Sequence, residues 1–293
     1  MNKINVPPIA PEEIIPFMNV DQTDFSDFTH AELIRHIEVE GYAILPKILD
    51  DALITKLKSE LAGAEMIHKS YSTYQTYAVE QPQWISKTAA NLIAHPPMIE
   101  LLTKLMGHDI VFTRGFFQRT HPGSPGISMH TDGQPHGSNL FGYEGSAPRL
   151  LRVLYYLDDL TRVRAPFRVI PRSHISFHAE ASPYIRYKHH PEEITLCVPR
   201  GSAIVMPAMM FHGTHPNTDT QPRELLQYGY RPAWAGPIKP MEDWAPELVA
   251  GAPDVAKPFL QSLNTTGVEW EQEHKPKNMK TEGPGINPSR WDD

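Results

Sequence analysis

One cysteine, Cys197, is all that the 293-residue chain contains, which excludes an intrachain disulfide framework and zinc sites of the multi-cysteine kind. Flanked by Leu196 and Val198, it is expected as a small core residue on a buried strand. Long apolar runs are missing too. No stretch nears the roughly 18 residues that a transmembrane helix needs, and Met1–Ala10 shows no charged segment leading into an apolar one of the kind that directs secretion. The expectation is a soluble, cytoplasmic protein without a transmembrane segment. Positive charge is also in deficit, with a net charge of −7 and a pI near 6.1, which argues against a nucleic-acid partner.

Proline is abundant instead. Its 29 copies suit short strands and long ordered loops better than a helical bundle, because each removes a backbone donor and fixes φ. Residues 1–27 read as an extended arm. From Thr29 the pattern turns helical: Thr29 with Glu32 has the form of a capping box, Leu33, Ile34 and Ile37 follow at helical spacing, and Gly41 should end the helix. Tyr42 to Pro46 reads as a strand, Asp50 to Leu61 as a helix burying Leu53, Ile54, Leu57 and Leu61, and Ile85 to Met106 as helical with an interruption at Pro96-Pro97. Between Ser70 and Gln83, Tyr71, Tyr74 and Tyr77 sit in a loop or edge strand. Strands then follow near Ile110–Gln118, Ile127–Asp132, Leu150–Leu157, Phe167–Ile170, Ile194–Val198, Ser202–Met206 and Arg223–Tyr230. Seven or eight short strands behind a helical entry predict a mainly β protein with a double-stranded β-helix (jelly-roll, cupin-like) core and flanking helices. The expected organisation is an arm over 1–27, a helical entry plus jelly-roll domain over 28–232, and an extension over 233–293 packing on the same domain.

The chemistry centres on Met129-His130-Thr131-Asp132-Gly133. In an extended segment residues two apart share a face, so His130 and Asp132 can grip one ion. An imidazole and a carboxylate are two members of the facial triad that holds ferrous iron and leaves positions open. Two histidines compete for the third place. On the segment from Met210 to Asn217, His212 shares a face with Thr214 while His215 points elsewhere, which favours His212. Arg223 follows His212 by eleven residues across an Asn, Asp and Pro turn, read as a hairpin that returns the arginine toward the metal. Its planar fork matches a carboxylate, and the Thr214 hydroxyl can donate to the same group.

These pieces in this order resemble the phytanoyl-CoA dioxygenase family of iron(II)/2-oxoglutarate-dependent oxygenases. Gly41-Tyr-Ala-Ile-Leu-Pro46 is similar to the family's opening strand, His130-Thr-Asp132 to its first two ligands, Val169-Ile-Pro-Arg-Ser-His174 to its V-I-P-G-S-H loop, and His212-Gly-Thr214 with Arg223 to its third ligand and cosubstrate anchor. Arg172 departs from the family's usual glycine, and Thr214 from its common serine. The resemblance implies Fe(II), 2-oxoglutarate and O2 as cofactor and cosubstrates, with hydroxylation of a small molecule and release of succinate and CO2. The carboxylate at Asp132 disfavours halogenation, whose enzymes carry a small residue there.

Further residues follow with less definition. Gln118 either reaches the cosubstrate or faces outward, His136 lies close enough behind the ligand pair to touch substrate, and His174 is read as a structural hydrogen-bonding residue. Between Arg149 and Arg200 nine basic residues meet five acidic ones in an otherwise acidic chain. That excess suggests an anionic small-molecule substrate, with Arg152 and Arg172 among its contacts, or else arginines paired with local acids. A non-catalytic or zinc-filled jelly-roll binding protein, and a metal-dependent hydrolase using the same three ligands, remain as alternatives, and neither has an evident use for Arg223.

Overall fold

A computed structural model of the chain describes residues 18–69, 76–132, 150–175, 189–237 and 240–266. Helix α1 (His30–Glu40) begins at the expected capping box: the Glu32 N–H donates to the Thr29 hydroxyl while the Thr29 N–H donates to the Glu32 carboxylate. It ends at Gly41 in a left-handed conformation, which a residue without a Cβ adopts freely. After β1 (Ala43–Leu45), helix α2 (Asp51–Leu61) is capped by Asp50 and buries Ile54, Leu57 and Leu61. Pro96 and Pro97 are tolerated only in a first helical turn. They accordingly start α4 (Pro96–Met106), separate from α3 (Lys87–Leu92).

Ten further strands follow: β2 (Ile67–His68), β3 (Thr76–Glu80), β4 (Ile110–Thr120), β5 (Ile127–His130), β6 (Leu151–Tyr156), β7 (Phe167–Val169), β8 (Ile194–Leu196), β9 (Ala203–Pro207), β10 (His212–Thr214) and β11 (Arg223–Pro232). They form a seven-stranded sheet, β1-β9-β6-β11-β4-β3-β2, and a four-stranded one, β5-β10-β7-β8. The last eight strands are dealt between the two antiparallel sheets, which is the jelly-roll arrangement. β1 and the β2–β3 pair widen the larger sheet.

One expectation about connectivity is corrected. β10 pairs with β5 and β7, whereas β11 lies between β4 and β6 in the other sheet. The link from His212 to Arg223 is therefore an arch between sheets. Asn217 explains why it does not tighten into a hairpin, because its side chain donates to the carbonyls of Thr120 and Gln221 and ties the arch to the end of β4.

Register assigns the faces. Arg223, Leu225, Gln227 and Gly229 lie opposite Thr120, Gln118, Phe116 and Arg114 of β4, and the last three of the β11 set lie opposite Tyr156, Leu154 and Arg152 of β6. Residues directly opposite share a face, so this set lines the side turned toward the smaller sheet. The alternate residues meet the helices: the Tyr228 hydroxyl donates to the Ala89 carbonyl and that of Tyr230 to the Ile93 carbonyl. Residues of the extension contact both this helical side and the end of β11. Trp244, just before α5 (Pro246–Gly251), stacks on Phe112 and meets Trp84 edge-on, and the Arg231 guanidinium donates to the carbonyls of Leu263 and Thr265.

Cys197, expected to be buried, is only partly so at the end of β8, and burial still pushes its thiol pKa up. No helix among the described residues is long and apolar enough to cross a membrane.

Candidate metal centre

The centre forms where two short strands meet. His130 ends β5, His212 begins β10, and the two are direct partners in the antiparallel ladder, with ring centroids 4.3 Å apart. Gly213 permits that approach, because a Cβ there would lie 2.5 Å from the Ile127 carbonyl oxygen. Asp132 follows β5, its N–H held by the Ala208 carbonyl. Its Oδ1 sits 3.6 Å from His130 Nε2 and 4.0 Å from His212 Nε2. One ligand atom from each of the three residues falls within 4.8 Å of the others.

The histidine tautomers suit a metal. His130 Nδ1 is 2.8 Å from the Ser128 carbonyl oxygen, and His212 Nδ1 is 2.9 Å from that of Met210. A carbonyl accepts only, so each Nδ1 carries the proton and each Nε2 keeps its lone pair for an ion. Burial, reinforced by the His130 charge, pushes the His212 ring down to about 4. Burial acts the same way on His130, but the hydrogen bond and charge of Asp132 overcome it and leave that pKa raised. At Asp132 burial opposes ionisation and is outweighed by Arg152 and the two histidines, so the carboxyl sits well below its usual range. Metal binding needs an ionised carboxylate, which the lowered Asp132 pKa favours, and a neutral imidazole, which the lowered His212 pKa favours. This donor set, one hard carboxylate with two neutral imidazoles, fits ferrous iron.

Arg223 is 1% exposed. Its Nη2 donates to the Thr120 hydroxyl at 2.7 Å, and its guanidinium lies 5.8 Å from the Tyr156 ring centroid. Gln118 is buried on the same face, beside Thr120. The Thr214 hydroxyl accepts from the Ile127 N–H at 2.9 Å, which leaves its own proton uncommitted by that bond. His215, the rejected competitor, turns away to Thr195 at 3.0 Å and Glu193 at 3.6 Å. His136, Tyr71 and Tyr74 lie outside the described residues, and Tyr77 packs edge-on against His68 and His121.

The two arginines offered to a substrate both lie against acids. Arg152 is buried, and its Nε donates to Asp132 Oδ2 at 2.7 Å. A lone arginine in the apolar strand Leu151–Tyr156 was the available signal, since a buried cation needs an anion beside it. Arg172 pairs with Glu40 at 2.7 Å and Glu192 at 3.6 Å; nearby, Arg168 pairs with Glu193 and Arg164 with Asp158. Among the described residues, these arginines of the basic excess are met by acids.

The loop after β7 has a bracing role. The Arg172 N–H donates to the Glu40 carbonyl, the Phe211 N–H to the Ser173 hydroxyl, and His174 Nε2 lies 3.0 Å from the Glu38 carbonyl oxygen. The loop thereby ties the end of α1 to the residue preceding His212. Arg172 has φ 65°, which accounts for the glycine usual in the resembling motif. Arg172→Gly should remove roughly 1 kcal/mol of backbone strain and an exposed ion pair worth about 0–1 kcal/mol. The expected unfolding free energy is therefore within about 1 kcal/mol of the parent in a denaturant titration, with turnover unchanged; a substrate role would instead raise KM.

The family profile described as Phytanoyl-CoA dioxygenase (PhyH) matches residues 37–225. Similar solved structures include HygX from Streptomyces hygroscopicus with nickel, 2-oxoglutarate and hygromycin B bound, at 16% identity and a TM-score of 0.58, covering 69% of this chain and 86% of that one. The epimerase SnoN in complex with Fe3+, alpha ketoglutarate and nogalamycin RO is 20% identical, with a TM-score of 0.60 over 81% and 96%. The carbocyclase SnoK from nogalamycin biosynthesis is 18% identical, with a TM-score of 0.56 over 71% and 85%. These likenesses establish the shared fold. No curated protein matches the sequence significantly.

Proposed function

The chain belongs to the phytanoyl-CoA dioxygenase family of iron(II)/2-oxoglutarate-dependent oxygenases, and from that premise we propose that it hydroxylates a small molecule and releases succinate and CO2. The observation that carries the proposal is the convergence of His130, Asp132 and His212, with both imidazole Nε2 atoms turned to one carboxylate oxygen. In this reading these three residues hold the iron. Arg223 binds the distal carboxylate of 2-oxoglutarate through its fork, with Thr214 donating to the same group and Gln118 nearby.

Iron, when bound with 2-oxoglutarate, supplies the activation of O2 and the oxidising power. The protein supplies the rest. Tyr156 and Leu225 flank the arginine with apolar surface, which excludes water from its charge and strengthens a carboxylate pair there. The substrate belongs at the other end of the same face, where Arg114 and Lys69 lie over the Phe116 ring, at 5.6 Å and 4.7 Å from its centroid. Lys69 is paired there with Glu80, so the region is mixed in charge, and the small ligands bound to HygX and SnoN are in keeping with a small-molecule site.

The test is anaerobic titration of the iron-loaded protein with 2-oxoglutarate. A weak visible charge-transfer band should appear, and admitting air with a panel of small carboxylates and phosphate esters should yield succinate and a product heavier by one oxygen atom. Absence of both the band and succinate would sink the oxygenase reading. Succinate with a product lighter by two hydrogen atoms would move the reaction to desaturation or ring closure.

A further inference from the structure

We propose that Arg152 is a positioning residue that restricts Asp132 to a one-oxygen grip on the metal and so keeps a coordination place open; this rests on the iron-site reading above. A carboxylate can bind an ion through one oxygen or both. Here the two oxygens are already divided. Oδ1 faces His130 Nε2 and His212 Nε2 at 3.6 and 4.0 Å, while Oδ2 accepts from Arg152 Nε at 2.7 Å. A charge-assisted bond of that length holds Oδ2 away from an ion placed between the histidines.

The guanidinium has little freedom to let go. Arg152 is 1% exposed, and its Nη1 has no hydrogen-bond partner among the described residues, so turning away from Asp132 would leave a buried cation without its anion. Its place is shaped by what β11 lacks. Gly229 is the register partner of Arg152, and a Cβ at 229 would lie 2.6 Å from Arg152 Nη1 and 2.5 Å from the Thr113 hydroxyl. Thr113 is the extra residue on β4 where the β4–β11 register shifts between Gly229 and Tyr230, a bulge that turns its side chain onto the same face. Bare backbone on one strand and a bulge on its neighbour thus make the slot in which the guanidinium lies.

A six-coordinate ion held by three protein atoms keeps about three positions for other ligands, whereas a two-oxygen grip by Asp132 leaves about two. The experiment counts bound water, with Mn(II) as the probe and 2-oxoglutarate absent. Water-proton relaxation of the Mn(II)-loaded protein should report about three exchangeable waters, and Arg152→Met should lower the relaxivity by about a third with Mn(II) still bound. Arg152→Gln, which keeps a donor, should restore the parent value. Gly229→Ala leaves Arg152 in the chain but closes its slot, and should behave as Arg152→Met does; it carries the test if Arg152→Met does not fold. Parent relaxivity in both Arg152→Met and Gly229→Ala, with Mn(II) bound, overturns the proposal. A folded Arg152→Met that no longer retains Mn(II) does so too, because Arg152 would then secure the ligand rather than limit it to one oxygen. If the parent protein binds no Mn(II) or Fe(II), it is the iron-site reading that fails.

Discussion

Replacing His212 with alanine is expected to lower turnover of 2-oxoglutarate by at least about 10³-fold and to abolish tight Fe(II) binding. One of three protein ligands disappears, and a loss near 4 kcal/mol in metal or transition-state stabilisation already gives that factor. In the iron-site reading His212 is the ligand least able to be replaced from solvent. Its ring is buried, lies 4.3 Å from His130 and 5.6 Å from Phe167, and is the one whose pKa burial lowers to about 4. Truncation also opens a cavity costing about 2–3 kcal/mol of stability, so metal content by equilibrium dialysis must be read beside a thermal melt. Near-parental activity in a folded His212→Ala protein would remove this residue from the metal centre. His215 is the control, since it bonds Thr195 and Glu193: His215→Gln should shift the melting temperature and leave metal content intact.

Replacing Arg223 with methionine should weaken 2-oxoglutarate binding by about 10²–10³-fold, with metal affinity unchanged. A desolvated charge pair is worth about 2–5 kcal/mol when one partner is truncated, and Arg223 is 1% exposed in the larger sheet. The effect should fall on the equilibrium constant for 2-oxoglutarate, read anaerobically from the charge-transfer band. Arg223→Lys should fall between, because it keeps the charge and loses the fork. If the equilibrium constant moves by less than about threefold, the 2-oxoglutarate anchor lies elsewhere and hydrolysis by the same three ligands regains ground.

Local rules made much of this legible. The capping box at Thr29 and Glu32, the break at Pro96-Pro97, and the alternation that set His130 beside Asp132 all depend on neighbours within four residues, where backbone geometry alone fixes direction. Parity likewise separated His212 from His215. Arg172 shows the limit of charge counting, since its left-handed φ and its pairing with Glu40 come from a loop docking against the far end of α1.

By itself, then, the sequence determined the strand-rich class, the order of the candidate ligands and the face each would take, because side-chain direction repeats with a short period along the backbone. Tertiary structure decided where the strands went. It put β10 and β11 in different sheets, seated Arg152 on Asp132 across twenty residues of chain, and cleared the slot for that arginine at Gly229. A buried arginine in an apolar strand announces that an anion must be near it. Which anion is settled only when two sheets close on one another.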